Sequence, residues 1–95
     1  MSCYAIFDVE ILDMAKYQEL MNGVKPALEA AGARYLARGG EHQVHEGDWV
    51  PRRIVILEFP DLNSFDRFYN GPVYQGLKRI RDTCSRARLV TVEGL

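Results

Sequence analysis

The chain has 95 residues, 47% of them hydrophobic and 26% charged, which is the profile of an ordinary globular protein with one domain over residues 1–95 and one modest core. A formal net charge of −1 supplies no broad positive field for nucleic acid. No apolar run approaches the roughly 18 residues of a membrane span, so no membrane partner is expected either.

The N-terminal residues enter directly into an alternating pattern without a signal-like segment, and Cys3 and Cys84 lack CxxC or zinc spacing. Both features point to a cytoplasmic chain with reduced thiols. From Cys3 to Ile11 the side chains alternate with period two. Ala5, Phe7, Val9 and Ile11 lie on one face of a first strand, and Tyr4, Ile6, Asp8 and Glu10 on the other. Asp13 suits an N-cap, and Met14, Tyr17, Met21, Val24, Leu28 and Ala31 then recur at helical steps up to Gly32. Pro26 is expected to kink or break that helix, because it cannot donate to the preceding turn.

Residues Ala33 to Arg38 read as a second strand and Arg52 to Phe59, "RRIVILEF", as a third, the two forming a hairpin or near-hairpin. Asp61 or Asn63 can cap a second helix carrying Leu62, Phe65 and Phe68, which Asn70-Gly71-Pro72 interrupts. Val73, Leu77, Ile80 and Cys84 continue it. The basic stretch "LKRIRDTCSRAR" reads as the solvated face and exit of this helix, and Ala87 to Glu93 as the closing strand. The order βαββαβ is that of an α+β ferredoxin-like sandwich with a four-stranded antiparallel sheet.

The helices of such a fold cover one face of the sheet. On the third strand Val55, Leu57 and Phe59 share one side, and Ile54, Ile56 and Glu58 the other, so both sides are largely apolar. The uncovered side therefore calls for a second copy of the chain, and a homodimer through the sheet face is the expectation. The same alternation places Asp8, Arg38 and Glu58 together on that side, with Arg38 beside Leu36 and bridging a carboxylate. They form either a structural ion-pair network or a pocket. In the pocket, Asp8 or Glu58 has a raised pKa and acts as general base while Arg38 holds an anionic oxygen.

The stretch "ARGGEHQVHEGDWVPRR" supplies further candidates. Gly39 and Gly40 mark a bulge or leave room for a ligand near Arg38, and Trp49 with Pro51 folds the hairpin end over a partner subunit or the pocket mouth. Tyr69 and Tyr74 flank the helix break, where they either donate to a ligand or pack between helices. His42 and His45 lie three residues apart with no third ligand nearby, so no metal is expected. No GxGxxG, P-loop, GxSxG or HExxH pattern occurs, and no cofactor is expected.

Taken together, "YAIFDVEILD", "YLARGGEHQVHEGDW", "PRRIVILEFPD", "FYNGPVYQGL" and "RLVTVEG" resemble the family known as domain of unknown function 1330, in order and over essentially the whole chain. The resemblance implies a ferredoxin-like unit pairing into a dimeric α/β barrel. It matches the recurrent family pattern at Asp8, Arg38, Gly39, Gly40, Glu58, Phe59, Tyr69, Tyr74 and Arg88, and it implies no settled function. Relatives by fold include cofactor-independent monooxygenases, muconolactone isomerase-like enzymes, haem-binding proteins and ligand-sensing domains. Two functional readings follow. One is a cofactor-independent oxygenase or isomerase acting on a small apolar or aromatic acid or carbonyl compound. The other is a non-catalytic binding or sensing module, or a purely structural dimer.

Overall fold

A computed structural model describes residues 1–95. The elements are β1 (Cys3–Ile11), α1 (Met14–Ala30), β2 (Arg34–Arg38), β3 (Ile54–Phe59), α2 (Leu62–Asn70), α3 (Pro72–Cys84) and β4 (Ser85–Glu93). The strands form one antiparallel sheet in the order β2-β3-β1-β4, so the first and third strands are central and the sheet is ferredoxin-like. No helix is long and apolar enough to cross a membrane.

Alternation builds the core as the sequence predicts. Cys3, Ala5, Phe7 and Val9 of β1, with Val55, Leu57 and Phe59 of β3, are buried against α1 and α2 through Tyr17, Leu20, Val24, Leu28 and Phe65. Phe59 is fully buried and meets Phe65 edge-on at 5.2 Å between ring centroids, the geometry that aromatic quadrupoles favour. The caps also fall where expected. Asp13 accepts from Lys16 N at 3.1 Å, and Asp61 from Ser64 N at 2.7 Å. Pro72 occupies the start of α3, where its missing N–H is harmless, and this divides α2 from α3 at Gly71.

Three expectations are corrected. Pro26 does not break α1, which runs as one helix through residue 30. Pro26 is exposed, and Val24 and Leu28 on either side anchor the helix to the core. The apolar seam of α3 is rotated from the predicted one: Val73 and Ile80 are exposed, whereas Tyr74 and Arg81 are buried. On α1 the predicted seam holds through Tyr17, Met21, Val24, Leu28 and Ala31, with Leu20 joining it and Met14 left exposed. The third correction concerns β2. Arg34 stands opposite Glu58 and Tyr35 opposite Leu57, but Ala37 stands opposite Ile56 and Arg38 opposite Val55, because the register shifts between Tyr35 and Ala37. A β-bulge inserts one residue and exchanges the faces of everything beyond it. Arg38 therefore sits on the helix side of the sheet, away from Asp8 and Glu58.

Candidate functional site

The open face of the sheet carries a central apolar patch between two rows of charge. Ile6 is paired with Ile56 and Val90, and Tyr4 with Val92. Val90 and Val92 are both more than half exposed. At one end Arg34 Nε donates to Glu58 at 2.6 Å. This contact, with further donors from Ser2 and Tyr4, holds the Glu58 carboxyl below its ordinary range.

The other end is organised by Asp8, which is only 8% exposed. Three donors converge on its carboxylate: Trp49 Nε1 at 3.0 Å, the Arg52 backbone N–H at 2.9 Å, and Arg88 Nη2 at 2.8 Å. Arg88 reaches it because Asp8 and Arg88 are cross-strand partners on β1 and β4. Burial alone would raise the pKa of Asp8. The Trp49, Arg52 and Arg88 hydrogen bonds and the Arg88 charge outweigh burial and lower it to about 2.

The expected Arg38 bridge is therefore absent. Arg88 and Arg34 take the carboxylates instead, and both carboxyls move opposite to the upward shift a general base requires. Arg38 is exposed, and its guanidinium stacks over the Tyr35 ring at 4.7 Å.

The loop from residue 39 to residue 53 is fastened to this end of the sheet. His42 Nε2 lies 3.0 Å from the Pro51 carbonyl oxygen, and Asp8 ties down Trp49 and Arg52. Trp49 thus folds over the open face of its own subunit while leaving half its surface exposed. The glycine pair divides in role. Gly39 has φ +67°, and a Cβ added to it would lie 2.1 Å from Arg53 Nη1, so the Arg53 side chain occupies the space that glycine leaves. Nothing lies within 4 Å of a Cβ placed on Gly40, which faces an open cleft lined also by Glu10, His42 and Arg52. The bulge lies earlier in β2, between Tyr35 and Ala37.

The helix side of the sheet holds an apolar cavity of about 50 Å³ between α1, α3 and the strands. Its walls include Phe7, Val9, Leu20, Val24, Val55 and Leu77, and the residues with polar groups in its lining are Tyr17, Tyr35, Tyr74, Lys78 and Arg81. Arg81, 9% exposed, donates from Nη1 to the Tyr74 hydroxyl at 2.7 Å. Its Nη2 has only a 3.4 Å contact with Asp82, and its buried Nε has no partner. Asp82 is itself half exposed and engaged by Lys78 at 3.0 Å. No carboxylate lines the cavity. Burial pushes the Tyr74 phenol up against the opposing charge of Arg81, and the Tyr17 phenol up against Arg53 and Arg81. Both phenols therefore remain protonated donors near neutral pH.

Of the residues named from sequence, Asp8 and Trp49 meet on the open face, Glu58 lies at its far end, and Tyr74 enters the cavity. Tyr69 packs instead, its ring stacked on Phe65 at 5.5 Å. Arg81 escaped notice because it falls in a basic stretch that reads as a solvated face. Its spacing of seven from Tyr74 and four from Leu77 is the signal that would have found it. Arg88 was legible as well, since it alternates with Val90 and Val92 on the strand that pairs with β1.

These features define a class: ferredoxin-like α+β proteins with one sheet face open and a small apolar cavity beneath the helices. A sequence profile of the family described as Domain of unknown function (DUF1330) matches residues 2–95, and the chain belongs to that family. No curated protein matches it significantly in sequence. Among solved structures, it is similar to RPA0582, a protein of unknown function from Rhodopseudomonas palustris. Identity is 17% and the TM-score 0.78, over 99% of this chain and 82% of that one. A dimeric ferredoxin-like protein of unknown function from Jannaschia sp. CCS1 is 16% identical with a TM-score of 0.72, covering 99% of this chain and 100% of that one. SnoaB, a cofactor-independent oxygenase from Streptomyces nogalater, is 10% identical with a TM-score of 0.59, covering 99% and 91%.

Proposed function

We propose that this protein binds a small, largely apolar molecule carrying an anionic or carbonyl oxygen in the cavity between helices and sheet. The observation that carries the reading is Arg81, a buried guanidinium with an unpartnered Nε in an otherwise apolar enclosure. Its one carboxylate contact, Asp82 at 3.4 Å, is half exposed and shared with Lys78, and a buried charge so weakly compensated is costly unless something outside the fold neutralises it further. Tyr74 fixes the guanidinium and Tyr17 offers a further phenolic donor near it. A binding role is favoured over proton abstraction, because the carboxylates proposed as bases, Asp8 and Glu58, are ionised acceptors on the opposite face. Phenols held protonated can polarise a carbonyl or stabilise an enolate, and this is the chemistry through which an isomerase or oxygenase reading would proceed.

The protein works as a homodimer with the open sheet face as the interface. The patch formed by Ile6, Ile56, Val90 and Val92 between two charged ends is self-complementary under two-fold symmetry. The dimeric neighbour from Jannaschia sp. supports pairing of this fold. The buried, free thiols of Cys3 and Cys84 fit a reducing cytoplasmic setting.

Thermal melts with a panel of small acids and ketones test the ligand reading. A compound of the right class raises the wild-type melting temperature and leaves Arg81→Met unmoved. Equal shifts in both proteins would place the ligand elsewhere. For the dimer, sedimentation at micromolar concentration compares wild type with Val90→Arg. Two copies should separate in the variant, and a monomeric, soluble wild type would refute the interface.

A further inference from the structure

Resting on the cavity reading, we propose that the ligand is a short monocarboxylate of about two to four carbons and not an aromatic acid. Size sets the upper bound. The cavity of about 50 Å³ is a third of the roughly 150 Å³ that accommodates benzene in a dry protein interior. With the carboxylate seated on Arg81 at the polar end, only the tail enters the apolar space, and a two- or three-carbon tail is smaller than a six-membered ring, which would have to displace the packed side chains of Leu20, Val24 and Leu77.

Charge and donor geometry set the headgroup. Nε and Nη2 form one edge of the planar guanidinium, and on Arg81 that edge is underused: Nε has no partner, and Nη2 has only the 3.4 Å contact with Asp82. Two parallel N–H donors on one edge are the arrangement that receives both oxygens of a single carboxylate. Nη1 is already occupied by the Tyr74 hydroxyl at 2.7 Å, which holds the fork in place. The other lining cation, Lys78, is paired with Asp82 at 3.0 Å, so the Arg81 guanidinium, with no carboxylate in the lining, calls for one negative charge, and the apolar walls favour an alkyl tail over an inorganic anion.

Calorimetric titration of the full chain with acetate, propionate, butyrate, hexanoate and benzoate, at constant ionic strength with chloride and phosphate as controls, tests the proposal. Affinity should rise about fourfold per methylene from acetate to butyrate, then fall at hexanoate and benzoate. Arg81→Met should abolish binding of the whole series. Leu77→Ala, which removes a wall of the cavity and keeps the guanidinium, should move the optimum to longer chains, and it serves as the decisive variant if Arg81→Met fails to fold. Tighter binding of hexanoate or benzoate than of propionate, lost in Arg81→Met, would overturn the short-acid class and leave the cavity as the site. Chloride or phosphate binding as tightly as butyrate would overturn the carboxylate class. No binding of any acid by wild type would overturn the short-acid proposal. If, in addition, none of the small acids and ketones of the melt panel moved wild type differently from Arg81→Met, the cavity reading would fall with it.

Discussion

Asp8 and Arg81 are buried to nearly the same degree on opposite sides of the sheet, and the fold treats them oppositely. Around Asp8 it assembles three donors from two segments of chain, the loop and β4, and the carboxyl is held ionised down to about pH 2. Around Arg81 it assembles aliphatic and aromatic walls, one phenol, and no carboxylate within good hydrogen-bonding distance. A buried charge that the chain satisfies fully is spent on architecture, here on fastening Trp49 and the loop to the sheet. A buried charge that the chain leaves half satisfied stabilises nothing by itself, and its free donors are available to a ligand.

The strongest way to break this contrast is to remove Asp8. Asp8→Ala strands the Trp49 and Arg52 N–H groups and unfastens the loop, and we expect a loss of about 2 to 4 kcal/mol in urea unfolding, less than for a fully buried pair because Arg88 stays hydrated. An unchanged midpoint would mean the carboxylate is not holding the loop.

Acid titration probes the same group without mutation. Its folded pKa of about 2 lies below the ordinary aspartate value of 3.8, so its stabilisation is complete above pH 3.8 and is lost as pH falls through that value towards 2. The loss from this group is on the order of 2 kcal/mol. Asp8→Asn should flatten that limb of the pH–stability curve, and a limb of the same depth in the variant would assign the acid sensitivity to other carboxylates.

A smaller effect separates the two glycines at the boundary between the faces. Gly39→Ala should cost about 1 to 2 kcal/mol, combining a left-handed φ with displacement of Arg53, whereas Gly40→Ala should be nearly neutral. Comparable melting temperatures for the two variants would contradict the packing of Arg53 over Gly39.

The smallest effects are expected for arginines that the fold does not satisfy. Arg81→Met relieves the burial of a weakly compensated charge but loses the 3.4 Å contact with Asp82 and the Tyr74 hydrogen bond, so stability should change by about 1 kcal/mol or less. Arg38→Met loses only an exposed stack on Tyr35, about 0.5 kcal/mol. A loss from Arg81→Met as large as that from Asp8→Ala would show that Arg81 is structural after all.

How far the sequence reaches can be judged from these residues. The strands, the caps at Asp13 and Asp61, the break at Gly71-Pro72 and both faces of β1 and β3 were legible, because periodicity and capping depend on residues close in the chain. The sequence alone therefore determined the order of elements, the fold, and the burial of Asp8 in an otherwise apolar face. Tertiary structure decided which charges meet. One extra residue in β2 turned Arg38 to the other side of the sheet, and β1–β4 pairing brought Arg88 to Asp8 across 80 positions. A loop contact spanning 41 residues set Trp49 over the same carboxylate. Rotation of α3 buried Arg81, because a helix turns whichever stripe packs best towards the core, and on α3 that stripe runs through Tyr74, Arg81 and Cys84 instead of the more apolar Val73 and Ile80. Register, loop closure and helix rotation are settled by packing between segments distant in sequence, so no local pattern in the 95 residues could specify them.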